Sequence, residues 1–373
     1  MLEKLFSHHK PKPKFRVHFN DGPFIEYLDG KDLVTSNFYR DGNLIYSTQL
    51  KPKHWSKCFQ KYYSDWHIEV LDQYGECIYK HKFNPANKRI RVNIDSKSLG
   101  DTLAWMPQVN ELANKLPETE VYCATFLPEL HFEQTYSNIR FIQPDSTLES
   151  SYATYNIGYY FDNINHHHPN DPRTVPLGQV AADILGINYH ESRPIVHVEN
   201  TQRSMTNPYA CIATQSTAAC KLWLYEGGWQ TVIDYLNNKG FDVALIQKEK
   251  GDFSGVINKS GDYPLQNRIT DILHCEFFIG LGSGLSWLAW ALKKPVILIS
   301  GFSHTFTEFE SNCYRVINQK VCHGCWNSTR YTFDRGDWDW CPLHRSTPRQ
   351  HECSRGISPK MVIEKIDQLM WVK

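Results

Sequence analysis

Four cysteines near the carboxyl end of the chain have the type and spacing of a metal site. Cys322 and Cys325 are separated by two residues, one of them a glycine that permits a tight turn, and Cys341 and Cys353 follow after further loops. Four thiolates in a tetrahedron suit iron or zinc, so the spacing does not choose between these metals. A site closed by four protein ligands has no position open for a substrate, which indicates a structural ion.

A glycine-rich loop at residues 280–286, GLGSGLS, lies between a predicted strand and a predicted helix. Its glycines allow backbone amides to approach an anion, and the amino terminus of the helix adds favourable partial charge. The glycines are not spaced as in the dinucleotide-binding fingerprint. They could also serve only to make a tight turn.

A second loop, Thr214-Gln215-Ser216-Thr217, follows another predicted strand and leads to the cation Lys221. Small side chains and a cation that face a glycine-rich loop favour a diphosphate as the ligand of both loops.

Asp101 lies at the start of a predicted helix, directly after the loop at residues 96–100, SKSLG. The simplest explanation is structural, because a carboxylate is stabilised at a helix amino terminus. The functional alternative is a general base at a cleft. A helix amino terminus lowers the pKa of a carboxyl group, so a base at this position would need a neighbouring group or desolvation to strengthen it.

The composition excludes several classes of protein. The chain has 373 residues and a net charge of +0, which argues against general nucleic-acid binding. The first fifteen residues, MLEKLFSHHKPKPKF, have charges and prolines where a signal peptide needs an apolar core. The longest apolar stretch, residues 277–292, is interrupted by glycines and is short of the ~20 residues that span a bilayer. Eleven cysteines without a leader predict a reducing compartment, the cytoplasm.

The predicted elements divide the chain into five parts. Residues 1–86 are predicted to form an all-β module, a small sandwich or barrel, from short strands separated by Asp-Gly turns. Strands and helices alternate over residues 87–205 and again over 206–319, which predicts two lobes with parallel sheets. A cysteine finger at 320–356 and a helix at 357–373 follow. The predicted fold class is therefore α/β, with ligands in a cleft at the carboxyl ends of the strands.

Three motifs resemble those of bacterial ADP-heptose glycosyltransferases with the two-lobed GT-B fold. They are Ser98-Leu99-Gly100-Asp101, Lys221-Leu222-Trp223 and the segment at 284–296, GLSWLAWALKKPV. Their order, the β-rich module before them and the cysteine finger after them make the chain similar to the autotransporter heptosyltransferases. This resemblance implies a bacterial enzyme that glycosylates serines of strand-loop-strand autotransporter adhesins in the cytoplasm before export.

The resemblance also implies a role for each matching position. Asp101 would be the general base that deprotonates the acceptor serine, and Lys221 would bind the diphosphate of ADP-heptose. The donor site would be completed by Thr214, Gln215, Glu249, Gly282, Ser283 and Gly284, with Glu249 as the ribose-binding acid. The family favours iron over zinc at the four cysteines. The reaction would be a single inverting displacement without a divalent metal, since the cleft loops contain no Asp-x-Asp pair.

The sequence departs from the family's relatives at one place. Lipopolysaccharide heptosyltransferases carry an acid-Thr-Gly motif and, two residues after the following leucine, a histidine, whereas this chain has Gly282-Ser283 and Trp287 there. A lipopolysaccharide acceptor is thereby disfavoured.

Two alternatives stay open. The first is a glycosyltransferase that uses another nucleotide sugar or a carbohydrate acceptor. The second is a metal-ribbon interaction protein with a degenerate transferase fold, which would keep the cysteines and have no need of Asp101.

The aromatic strands of the β-rich module have two explanations. They suggest a contact in a homo-oligomer, and a surface that docks the acceptor explains them equally well.

Overall fold

The computed structural model describes residues 14–146 and 151–371. Most of the amino-terminal segment 1–15, whose charges and prolines argue against a signal peptide, therefore lies outside the described residues. The strands in chain order are β1 (Lys14–Asn20), β2 (Phe24–Asp29), β3 (Val34–Arg40), β4 (Asn43–Leu50), β5 (Trp55–Lys57), β6 (Trp66–Leu71), β7 (Cys77–Lys82), β8 (Arg89–Ile94), β9 (Glu120–Ala124), β10 (Ile139–Ile142), β11 (Ala153–Ile157), β12 (Tyr209–Ile212), β13 (Asp242–Leu245), β14 (Ile257–Asn258), β15 (Phe277–Leu281), β16 (Val296–Ile299) and β17 (Cys313–Val316). The α-helices are α1 (Leu99–Lys115), α2 (Ile164–His167), α3 (Leu177–Leu185), α4 (Gly228–Asn238), α5 (Leu265–Leu273), α6 (Gly284–Ala291), α7 (Glu352–Arg355) and α8 (Pro359–Trp371).

The second lobe contains a parallel sheet of six strands in the order β14-β13-β12-β15-β16-β17. All but the two-residue strand β14 match strands predicted from the sequence. The order of connection reverses between β12 and β15, and the two loops that follow these strands carry Lys221 and Gly282–Gly284. Ligands bind at this point of a doubly wound sheet.

The first lobe has the parallel order β10-β9-β8-β11, and the loop after β8 leads to Asp101. Neither β11 nor α3 was predicted from the sequence. Strand β1 adds in parallel to the outer edge of β11, and β2 and β5 continue the sheet in antiparallel pairs. The prediction of a separate sandwich or barrel is therefore wrong, because three strands from residues 1–86 cover the open edge of this sheet instead.

The other four strands of this region form an antiparallel sheet in the order β4-β3-β6-β7. The described part of the segment, residues 14–86, has strands and no helix, so its all-β character is confirmed. Phe38, Ile68 and Val70 are fully buried where this sheet meets the core.

Helix α1 runs without interruption from Leu99 to Lys115, although Pro107 lies inside it. The helix is held in place by packing. Trp105 is fully buried and its indole Nε1 donates a hydrogen bond to the carbonyl oxygen of Leu177 in α3 at 2.9 Å. Tertiary contacts of this kind offset the stability that is lost when a proline inside a helix removes a backbone hydrogen bond.

The two lobes share one apolar cluster beneath the cleft. Trp287 and Trp290 of α6 pack against Phe309 with ring centroids 5.0 and 4.8 Å apart, and Trp105 of α1 belongs to the same cluster. Helix α8 begins at Pro359, inside the segment 357–373 that was predicted to be helical, and buries its apolar face against the second lobe. Among the helices of residues 14–146 and 151–371, none has the length and apolar character needed to cross a bilayer.

Candidate active site and metal centre

The carboxylate of Asp101 lies in the first turn of α1 without capping it. Ser98 is the N-cap, and its Oγ accepts a hydrogen bond from the backbone amide of Asp101 at 3.5 Å. Oδ2 of Asp101 accepts a hydrogen bond from Oγ of Ser96 at 2.6 Å, whereas Oδ1 accepts none from the residues that the structure describes. One oxygen is therefore held in place, and the other is available to take a proton.

Burial raises the pKa of Asp101, although the hydrogen bond from Ser96 and the positive charges of Arg335 and Lys221 act in the opposite direction. Desolvation thus outweighs the hydrogen bond and the two cations, all of which favour the ionised form. A carboxylate in this environment is a stronger base than an exposed aspartate.

The glycine-rich loop is crowded by other segments of the chain. A Cβ atom on Gly282 would lie 2.7 Å from Oε1 of Glu308, and one on Gly284 would lie 2.7 Å from Cβ of Leu99. Both glycines have negative or extended φ, so close approach and not backbone freedom requires them. Ser283 is the N-cap of α6, yet its side chain makes no capping hydrogen bond. The first turn of α6 therefore has no side-chain cap competing with an anion.

The facing loop is anchored by a residue that the sequence did not single out, Gln247. The backbone amide and Oγ1 of Thr214 both donate to Oε1 of Gln247, at 2.7 and 2.8 Å. Nε2 of Gln247 donates in turn to the carbonyl oxygen of Glu249 at 3.0 Å. Thr214 therefore shapes the loop, while the side chains of Gln215 and Glu249 are exposed and accessible to a ligand.

Lys221 lies against two aromatic rings at the end of this loop. Its Nζ is 5.6 Å from the ring centroid of Phe302 and 5.8 Å from that of Phe333. Burial lowers the pKa of Lys221, and the carboxylate of Asp101 acts in the opposite direction. The two groups come from opposite lobes and interact through their charges without a direct ion pair.

The structure brings the four predicted metal ligands together. Cys322, Cys325, Cys341 and Cys353 line one cavity, and all four are free thiols. Burial raises the pKa of Cys325 and Cys353 to about 12, and the neighbouring thiolates add to both shifts. A bound cation reverses such a shift because it stabilises the thiolate form. The cavity therefore fits an ion held by four thiolates.

Further residues support this cavity. His344 lines it, and its ring, the Cys322 thiol and the Glu352 carboxylate offer ligand atoms within 4.8 Å of one another. Oε1 of Glu352 also accepts hydrogen bonds from the backbone amide of Cys322 at 3.1 Å and from Arg349 at 2.6 Å, so this carboxylate holds the cysteine loop. A fifth cysteine, Cys220, lines the cavity as well. Its only signal in the sequence was its position beside Lys221.

The cysteine finger is joined to both lobes. In the second lobe, the backbone amide of Trp326 donates to Phe302 at 3.1 Å and that of Ala219 donates to Trp338 at 2.9 Å. In the first lobe, Arg173 donates to the carbonyl oxygen of Tyr331 at 3.0 Å. The finger therefore bridges the two lobes.

Two parallel-sheet lobes, with the buried carboxyl group of Asp101 on one side and the glycine-rich loop on the other, have the architecture of an α/β glycosyltransferase. Glycosyltransferase family 9 (heptosyltransferase) matches residues 146–309. The chain is 34% identical over 358 residues to the autotransporter heptosyltransferase Aah of Escherichia coli, an alignment that covers 92% of this chain and 90% of Aah. The chain therefore belongs to the autotransporter heptosyltransferases and is a glycosyltransferase.

Solved structures agree with this assignment. The crystal structure of the iron-containing dodecameric glycosyltransferase TibC from enterotoxigenic E. coli H10407 has a TM-score of 0.89 at 32% identity and covers 96% of both chains. A second structure of TibC, in complex with ADP-D-beta-D-heptose, has the same TM-score at 31% identity. One relative, BimC of Burkholderia thailandensis, is described as an inactive autotransporter heptosyltransferase. It is 29% identical over 358 residues, covering 93% of this chain and 84% of BimC.

Proposed function

We propose that this enzyme transfers heptose from ADP-heptose to serine side chains of an autotransporter adhesin passenger domain. The observation that carries the proposal is that Asp101, with one oxygen held by Ser96, and Lys221 come from opposite lobes and lie close enough to interact through their charges. The complex of the relative TibC with ADP-D-beta-D-heptose supports the choice of donor.

In the proposed reaction, Oδ1 of Asp101 accepts the proton of the serine hydroxyl as the serine oxygen attacks the anomeric carbon of heptose. The bond from that carbon to the diphosphate breaks, and its electron pair leaves with ADP. Lys221 and the loop Gly282-Ser283-Gly284 stabilise the negative charge that develops on the leaving group. Attack and departure on opposite faces invert the anomeric centre. Thr214 shapes the donor site, Gln215 lines it and Glu249 binds the ribose.

The proposed metal is a structural iron ion held by Cys322, Cys325, Cys341 and Cys353, with zinc as the alternative. The four thiols that line one cavity and the iron content of TibC support it. An ion enclosed by four thiolates orders the finger and takes no part in the displacement.

We further propose that the chain forms a homo-oligomer, as the relative TibC is dodecameric. We also propose that the protein is located in the cytoplasm of a bacterium.

The alternative from another class is an interaction protein that keeps the fold and has lost transfer. The existence of a relative named as inactive gives this alternative weight. The presence here of a buried carboxylate with an available oxygen favours an active enzyme.

Co-expression of the chain with an autotransporter passenger, followed by intact-mass measurement of the passenger, tests the function. We expect mass increments of one heptosyl residue each, mapped by fragmentation to serines. An unmodified passenger in a strain that makes ADP-heptose would contradict the proposal, and increments of another sugar would identify another donor.

A further inference from the structure

The cysteine finger places a second cation beside Asp101 and Lys221. Arg335 follows two residues after Phe333, whose ring contacts Lys221, and the guanidinium Cζ of Arg335 lies 5.7 Å from the ring centroid of Tyr159. The positive charge of Arg335 also acts on both neighbours, since it partly offsets the rise that burial causes in the pKa of Asp101 and adds to the fall that burial causes in the pKa of Lys221. Charged groups from both lobes and the finger thus face one space.

The two cations are not neutralised by the protein. Across residues 14–146 and 151–371, the ammonium of Lys221 and the guanidinium of Arg335 contact aromatic rings and form no ion pair. Tyr159 stays a neutral phenol because burial raises its pKa well above the ordinary value. The nearby acid Glu308 is already paired with Arg315 at 2.5 Å. Asp101 therefore supplies one negative charge against two positive charges.

Two like charges in a partly dehydrated cleft repel each other, and a bound anion offsets that repulsion. An arginine is well suited to such an anion because its planar guanidinium donates two parallel hydrogen bonds to phosphate oxygens. Its position is set by the finger: the carbonyl oxygen of Trp338 accepts a hydrogen bond from Ala219, two residues before Lys221. The next aromatic residue, Trp340, lines the cavity of the four cysteines.

We propose that Arg335 binds the diphosphate of the nucleotide-sugar donor together with Lys221, so that the finger forms part of the donor site. This inference rests on the proposed function. Two cations from two segments hold the leaving diphosphate as the bond to the sugar breaks and its electron pair moves to the phosphate oxygen. The metal ion supports donor binding indirectly, because it orders the segment that carries Arg335.

Calorimetric titration of the full-length, metal-loaded protein with ADP and with adenosine tests this inference. Arg335→Gln should weaken ADP binding about tenfold or more while leaving adenosine binding and metal content unchanged. Arg335→Lys should recover part of the loss, since it restores the charge without the planar fork. Arg330→Gln is the matched control, because Arg330 is an exposed finger arginine whose side chain forms no hydrogen bond or ion pair in the described residues. This variant should bind ADP like the wild type.

Unchanged ADP affinity in Arg335→Gln would overturn the inference and leave the proposed function standing. An equal loss for adenosine and ADP would also overturn it, because it would show a structural role for Arg335. A wild-type protein that binds no ADP would overturn the proposed function, and the inference with it.

Discussion

Gly100 and Gly284 lie against each other where helices α1 and α6 begin, so that a Cβ atom on Gly284 would be 3.1 Å from the backbone nitrogen of Gly100. The helix that carries the proposed base and the helix that carries the anion-binding loop therefore meet through two residues without side chains. This contact therefore sets the distance between Asp101 and the glycine-rich loop.

Replacing Gly284 by alanine should force the two helices apart, since the new atom would lie 2.7 Å from Cβ of Leu99, which has no freedom to rotate away. Overpacking of this kind costs about 1–3 kcal/mol. We expect a lower melting temperature and weaker ADP-heptose binding, measured by calorimetry. Ser283→Ala adds no atom and should keep the wild-type melting temperature; equal stability of the two variants would contradict the close contact.

Asp101→Asn should abolish transfer while leaving donor affinity largely intact, because the amide cannot accept the serine proton. Loss of a positioned base typically lowers the rate about 10²–10⁴-fold. Single-turnover assays with passenger protein measure this effect. Glu118→Gln removes an exposed carboxylate of the same lobe and should have no effect. A normal rate in Asp101→Asn would reduce Asp101 to a helix-start residue.

Asp101→Asn should be more stable than the wild type at neutral pH. Burial raises the pKa of Asp101, so the folded state binds its proton more tightly than the unfolded state does. The unfolded carboxyl group ionises at about pH 4, and the folded one ionises only at a higher pH. Between these two values the ionisable group destabilises the folded state increasingly as pH rises, and above the folded pKa the full destabilisation persists. The stability difference between Asp101→Asn and wild type should appear in denaturant titrations at pH 7 and shrink below about pH 4. A difference that grows towards acid pH would contradict the raised pKa.

Lys221→Met should weaken ADP-heptose binding and preserve the fold, because the apolar side chain can still pack against Phe302 and Phe333. A charged hydrogen bond to phosphate contributes roughly 1.5–3 kcal/mol. The control is Lys239→Met, which removes another lysine that lies over an aromatic ring, 5.4 Å from Tyr235, outside the cleft. If calorimetry gives both variants the same donor affinity, Lys221 is not a diphosphate ligand.

Cys325→Ser should lower metal content and solubility together, because a four-thiolate site loses one ligand and the finger loses its order. Elemental analysis and size-exclusion chromatography of the purified protein measure the two effects. Cys77→Ser is the matched control, since Cys77 is an exposed thiol on β7. A folded, active wild-type protein that contains no metal would contradict the proposed metal site.

The sequence predicted the second lobe well, because the buried strands β12, β15 and β16 are short apolar runs bounded by turns. It missed β11, whose residues alternate between buried and partly buried and form a strand only through pairing with β8 and β1. The cysteine spacing is a local signal, and the four thiols do line one cavity.

The remaining site residues could not be predicted because their positions depend on contacts between distant segments. Gln247 acts through Thr214, 33 residues away in sequence. Arg335 reaches the cleft only because the finger folds back over both lobes. No local pattern distinguishes it from Arg330, another exposed arginine of the same finger.

The pairing of β1 with β11 has a consequence for how the protein is made. Asn20 and Thr154 are hydrogen-bonded partners 134 residues apart, so the first strand leaves the ribosome long before the strand that it completes. At ordinary synthesis rates of about 5–20 residues per second, β1 waits roughly 7–27 s for its partner. During that interval, three strands of the nascent chain expose an unpaired edge, which is a template for aggregation. Soluble expression should therefore rise with faster translation, which shortens this interval, and with chaperone supply, which protects the exposed edge.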